Sequence, residues 1–378
     1  MNKAYASSSS LEDLSLDRFT RLNQAHGDFG LVPADLARYG RYEIANPVIL
    51  DPPATVTKAG YVLTNPSQIE TYSQIVDDKE VPVTRDFAYF RHEPARMHLG
   101  KTTARPYFIL RDAQGKPYLE EFGEALVLPG EDPRITRGVK IKGLLGKVHE
   151  GWLISTVVAT PKPDNPAYVK SIKQVFYWGE DLNNLEVVAE LNNTKNTCPL
   201  PVSADYEDTR LDVFSRPKPH ISYLRLPDIT SLTNEIIDSA GINITEKLLP
   251  EGVHCGPNFV KTRGPNHREL DVHEAWLEDL PDGKVAPHYR LARYGYELPR
   301  EGLPEGQLLP LGVIATRAQF PDAMPKPPEN GVGDYWNIVY GSMGTVSHAP
   351  ARGKRRVGRM IVGVSDSQVG LADVIRVG

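Results

Sequence analysis

Cysteine is scarce in this sequence. Cys198 and Cys255 are the two in 378 residues, too few for a disulfide framework and without the Cys/His spacing of a metal site. That scarcity fits a reducing compartment. No stretch approaches the ~20 apolar residues of a membrane-spanning helix, and the first residues lack the apolar core of a secretory signal. A cytoplasmic chain with no membrane partner is expected. The patterns Asn192-Asn193-Thr194 and Asn243-Ile244-Thr245 match glycosylation acceptors, but with no secretory signal they read as chance. A basic excess is missing as well: 43 Lys and Arg against 48 Asp and Glu give a net charge of -5, which argues against a nucleic-acid partner. The dinucleotide glycine fingerprint, the P-loop and a convincing Asp-x-Asp pair at a strand end are all absent. No cofactor and no metal is therefore expected, and a metal-dependent nucleotide-sugar transferase is disfavoured.

What is present is β-type texture. From about residue 40, short runs such as Gly60-Tyr61-Val62-Leu63, Tyr107-Phe108-Ile109-Leu110, Trp152 to Val158, Gln174 to Trp178, Asn337 to Tyr340 and Met360 to Val364 alternate with Gly, Pro, Asn and Asp. Such spacing predicts hairpins and meanders. Arg111 to Lys116 and Leu280 to Lys284 carry the chemistry of hairpin turns. A helix is expected near Ile229 to Ala240, and Leu11, Leu14, Phe19 and Leu22 suggest a short amphipathic lead-in. The 32 prolines are dispersed, so no boundary stands out beyond that lead-in. The expected division is a tail and lead-in helix over 1–40 and one catalytic domain over 41–378. An all-β domain of that size is large for a sandwich. A propeller answers the size problem by packing small antiparallel sheets around an axis, although a long barrel or two β domains fit the periodicity equally well.

The run Glu131-Asp132-Pro133-Arg134-Ile135-Thr136-Arg137 combines an acid, a rigid proline and two arginines. The acid before a proline is expected to be extended at a strand entry. One proton donor among several cations suits a sugar phosphate, because an anionic phosphate needs no general base. Hydrolysis would instead need two carboxylates about 6.5–9.5 Å apart.

Further blocks occur in order: Arg91-His92-Glu93-Pro94, Asp208-Thr209-Arg210, Val213-Phe214-Ser215-Arg216-Pro217, Gly256-Pro257-Asn258, Val272-His273, Ile314 to Pro321 with Pro325-Lys326, and Val362-Gly363-Val364-Ser365-Asp366. In this order, over roughly residues 85 to 375, the chain resembles the mannosyltransferase/phosphorylase family, long catalogued as a domain of unknown function and related to inverting mannoside phosphorylases. The resemblance implies an all-β, five-bladed β-propeller. It also implies transfer of mannose to or from β-1,2-linked oligomers with GDP-mannose or mannose 1-phosphate, so the partners would be a sugar phosphate and an oligosaccharide acceptor. The chain departs from the family in Lys218-Pro219-His220-Ile221 and Gly341-Ser342-Met343-Gly344, where glycine-rich turns are expected, and in His254 or Cys255, where a tryptophan is expected.

Asp132 is the expected acid, with a turn-capping role as the bland alternative. Arg210, Arg317 and Lys326 are the expected phosphate ligands, arginine offering bidentate contacts and lysine a point charge, and His273 could add a donor. Arg91 and Glu93 read as a pair beside the sugar or as an ion pair between two strands. Asp208, Asn258 and Asp366 offer partners for sugar hydroxyls, and Tyr335, Trp336 and Tyr340 an aromatic lining or merely core. Two other readings stay open: a glycoside hydrolase using Glu93 or Asp208 as second carboxylate, and a non-catalytic propeller that binds a glycan or a protein.

Overall fold

The computed structural model describes residues 41–76, 79–94, 101–123, 127–143, 145–163, 169–216, 221–245, 254–279, 285–315, 320, 339–340, 356–364 and 368–377. The expected tail and lead-in helix over 1–40 lie outside them. The chain forms five antiparallel sheets arranged as a five-bladed propeller. It enters through β1 (Arg41–Leu50) and a short helix, α1 (Ala54–Lys58). In blade one, β2 (Tyr61–Thr64) and β3 (Glu70–Val76) lie end to end along β4 (Lys79–Pro94), followed by β5 (Thr103–Arg111), with β6 (Pro117–Glu121) and β7 (Leu128–Pro129) both paired to β5. Blade two is β8 (Glu131–Lys142), β9 (Val148–Pro161), β10 (Val169–Gly179) and β11 (Glu186–Asn192). Blade three is β12 (Lys195–Pro201), β13 (Leu211–Arg216), β14 (Ser222–Leu226) and, after a 3-10 turn at Ile229–Ser231 and α2 (Asn234–Ala240), the short β15 (Ile242–Asn243). Blade four is β16 (His254–Thr262), β17 (His267–Asp279), β18 (Val285–Glu297) and β19 (Gln307–Ala315). Blade five runs β20 (Val339–Tyr340), β21 (Arg356–Val364) and β22 (Gln368–Val377), and β1 returns to pair with β22 along its length. The ring is thus closed by a strand from the opposite end of the described chain.

Local chemistry explains the elements that the sequence announced. The turn between β5 and β6 is held by Asp112, whose carboxylate accepts from the Gln114 and Lys116 amides at 3.0 and 2.8 Å, with Gly115 at φ +80. Helix α2 starts at Thr233, whose hydroxyl accepts from the Ile236 amide at 3.2 Å.

The core is distributed. Each pair of neighbouring blades encloses its own apolar cluster, such as Phe87, Tyr89, Ile135, Ile154 and Val175 between blades one and two. Because a blade is covered on both faces, consecutive residues feed opposite clusters: Val213 packs towards blade two and Phe214 towards blade four. Polar ties cross the same seams. Arg268 of blade four donates from Nε to Asp212 of blade three at 2.9 Å, Asp212 also accepts from Tyr223 and Arg225 at 2.8 and 2.9 Å, and Arg359 of blade five meets Asp86 of blade one at 2.7 Å. Among the described residues no helix is long and apolar enough to cross a membrane.

Candidate active site

Among the breaks in the regular ladder, those in the first strands of blades two, three and four carry polar residues. Asn65, immediately after β2, has φ +39. The β8–β9 register slips between Glu131 and Arg134, taking Asp132 out of the ladder at φ +50. The β12–β13 register slips between Lys195 and Cys198, beside Asn196 at φ +64. The β16–β17 register slips between Pro257 and Phe259, leaving Asn258 as the extra residue. Bulges of this kind re-aim side chains. Asn and Asp tolerate the left-handed region because their short polar side chains bond locally. The extended conformation expected for Asp132 is therefore corrected: the bulge, not the following proline alone, sets its backbone.

These bulges converge. Asn65 donates from Nδ2 to Asp132 Oδ1 at 2.8 Å. Arg91 lies 3.8 Å from the same oxygen while gripping Glu93 at 2.6 Å and Glu131 at 3.1 Å. Arg91 and Glu93 sit two apart on β4 and so share a face of one strand, not two strands as the pair reading allowed. Arg134 donates to the backbone oxygens of Asp132 and Pro257 at 3.0 and 3.2 Å and to the amide oxygens of Asn196 and Asn258 at 2.6 and 3.4 Å. All four acceptors are uncharged, so these bonds orient the guanidinium without neutralising it. His273 completes the group, between Asn258 at 3.0 Å and Arg216 at 3.2 Å.

Electrostatics tie the same residues together. Burial alone would raise the Asp132 carboxyl, but Arg91, Lys195, Arg134 and the Asn65 amide outweigh it and hold Asp132 below the usual carboxylate range. The Lys195 ammonium is shifted down as well, lowered by burial and by Arg216 and Arg134 against the pull of Asp132 and Glu131. Arg91, Arg134, Lys195 and Arg216 thus stand against Glu93, Glu131 and Asp132. This is a mixed but cation-weighted site.

A second displaced carboxyl is Glu70, at the start of β3. Burial pushes it up to about 7, against the Gln68 amide and Arg137. Its proton is held more tightly in the folded chain than in the unfolded one, so its contribution to stability falls as pH rises from about 4.5 to about 7. Glu70→Gln is expected to raise Tm at pH 8 and to change it far less at pH 5. Thermal scans at the two pH values check the sign.

The fold is similar to that of Leishmania mannosyl-transfer proteins. MPT-1, a GDP-Man-dependent mannosyltransferase from Leishmania mexicana, superposes with a TM-score of 0.65 at 18% identity, covering 88% of this chain and 89% of that one. MPT-4, a mannose phosphorylase from the same organism in complex with phosphate ion, gives 0.64 at 18% identity, covering 90% of each. A hypothetical protein from Leishmania major gives 0.61 at 19% identity, covering 88% and 90%. No protein-family model matches the chain, and no curated protein sequence matches it.

The structure sorts the residues singled out from sequence. Asp132, Arg91, Glu93, Asn258 and His273 come together. Arg210 and Asp208 do not join them. The Val202 amide bonds to the Arg210 carbonyl at the end of the β12–β13 pair opposite Lys195 and Arg216, about 20 Å along the strand. There Arg210 is exposed and bound to Asp208 at 2.8 Å, and its hydrogen bonds hold the Asp208 carboxyl far below its ordinary range. Of the two arginines in that stretch, the one that joins the cluster is Arg216, at the other end of the strand. Arg317, Lys326, Asp366, Tyr335 and Trp336 lie outside the described residues, as does the side chain of Tyr340. Sequence reasoning quoted Arg134 and Arg216 within its motif blocks without giving either a role, and it passed over Asn65, Lys195 and Asn196. Their signal was an Asn or Asp interrupting a strand start, and Asn196 was hidden beside a chance glycosylation pattern.

Proposed function

We propose that the chain is an inverting mannoside phosphorylase or mannosyltransferase, moving mannose between mannose 1-phosphate or GDP-mannose and β-1,2-linked mannose oligomers. The observation that carries this reading is one carboxylate, Asp132, set at a bulge beside Arg91, Lys195 and Arg134, with Arg216 next to Lys195, on a fold similar to proteins of that chemistry. In the synthetic direction an acceptor hydroxyl forms the new bond to the anomeric carbon while the bond to phosphate oxygen breaks and its electrons leave with the phosphate. The hydroxyl proton passes to Asp132, directly or through a sugar hydroxyl. Asp132 is ionised and so able to accept it, and the phosphate of the donor offsets the cations that would otherwise keep the proton off. In the reverse direction Asp132 must carry the proton, and an incoming phosphate favours this by compensating Lys195 and Arg134, which otherwise keep the proton off. The cations meanwhile hold the anion in line.

The hydrolase reading draws no support from the site. Glu93 and Glu131 are gripped by Arg91, and Asp208 belongs to the far end of blade three. Incubation with a panel of sugar 1-phosphates and GDP-mannose, each with and without β-1,2-mannobiose, decides the matter. Acceptor-dependent release of phosphate or GDP from the mannosyl donor is expected, and inorganic phosphate should raise Tm in the native chain but much less in Lys195→Ala. Release that does not depend on the acceptor, or no release from any mannosyl donor, would overturn the proposal.

A further inference from the structure

Both ring nitrogens of His273 are spoken for, and the groups that hold them leave one protonation state. A guanidinium can only donate. Arg134 Nη2 lies 2.6 Å from Asn196 Oδ1 and 3.4 Å from Asn258 Oδ1, which fixes the amide orientation of both side chains: oxygens towards Arg134. Asn258 Oδ1, now identified as an acceptor, is 3.0 Å from His273 Nδ1, so Nδ1 carries the hydrogen. On the other side Nε2 is 3.2 Å from Arg216 Nη1 and 3.4 Å from Asn196 Nδ2, both donors, so Nε2 presents its lone pair. Two arginines thereby dictate a neutral imidazole of the Nδ1–H tautomer.

The ring is also held in plane. A Cβ at Gly256 would lie 2.5 Å from His273 Cε1, 2.9 Å from its Nε2 and 2.7 Å from Asn196 Nδ2. Only a glycine backbone lets the imidazole and the Asn196 amide lie this close to β16.

We propose that His273 is a positioning residue of the anion site: a neutral acceptor that aims the Arg216 guanidinium, not a proton donor to the bound phosphate. The proposal rests on the phosphate reading given above, and it reverses the donor role expected from sequence. Protonation at Nε2 would set a second N–H against Arg216 and break the alignment.

The decisive measurement needs no ligand. Long-range proton–nitrogen correlation spectra of the full-length chain, with nitrogen-15 histidine and His273 assigned by substitution, are expected to show a protonated Nδ1 and a bare Nε2 at pH 7. An imidazolium or the Nε2–H tautomer would overturn the proposal. Two substitutions then separate positioning from mere packing. The glutamine amide oxygen reaches the place of Nε2, whereas asparagine reproduces the Nδ1 side only. His273→Asn is therefore expected to weaken inorganic phosphate binding about 10- to 100-fold, and His273→Gln to restore most of that loss. Gly256→Ala, which removes no polar group, should weaken phosphate by displacing the ring. Equal losses in the Asn and Gln variants, with Tm unchanged, would count against an acceptor role. If the native chain shows the Nδ1–H tautomer yet has no affinity for phosphate, the phosphate reading fails while the Arg216–His273 arrangement stands.

Discussion

Asp132→Asn is expected to lower sugar transfer about 10²- to 10⁴-fold in both directions, the usual worth of a positioned proton-transfer group, while phosphate binding survives. Asparagine accepts the left-handed backbone found at φ +50, and its amide oxygen can still receive the Asn65 bond. What it lacks is a proton to give or a charge to take one. Lys195, Arg91 and Arg134 lose a neighbouring negative charge, so phosphate should bind as tightly or more tightly. Turnover measured in both directions, with phosphate titrated by calorimetry, tests both halves. Retained turnover combined with a lower Tm would make Asp132 a structural residue of the bulge.

The largest loss of stability is expected for Asp212→Ala. Asp212 is fully buried and accepts from Tyr223, Arg225 and Arg268, and Arg268 is itself fully buried. Removing the acid strands a guanidinium in the seam between blades three and four, a loss of about 3–5 kcal/mol. Against the marginal stability of folded domains this is a large share. Denaturant titration should show a much lower midpoint, whereas Asp51→Ala, which breaks the exposed pair with Lys116, should hardly move it. A similar shift for both variants would refute the distinction.

The β character, the hairpin at Asp112 and the helix at Asn234–Ala240 were legible because each rests on local chemistry. The repeat of the blades was not, for a physical reason. Strands buried on both faces, such as the one carrying Val213 and Phe214, lose the alternation of a half-exposed strand, so no period marks where a blade begins. Asp132 was legible from its motif. Arg216 and Arg210 were confused because both flank one strand and sequence alone does not say which end faces the site. Lys195 and Asn196 were missed because an Asn at a strand start marks many ordinary turns, and the sequence does not say which of them slips the register towards the site.

The pairing of β1 with β22 has a kinetic side. Arg41 meets Val377 and Leu50 meets Val369, so the contact that closes the ring joins the two ends of the described chain. Closing so long a loop is entropically late, and folding dominated by such non-local pairing is slow. On the ribosome β1 is made long before β22 and must wait for it, and until then it lacks the partner that holds it and presents an edge of the kind that invites association with other chains. Once closed, the two ends of the described chain are held in one ladder, so spontaneous opening should be slow and the native state long-lived even where its equilibrium stability is ordinary.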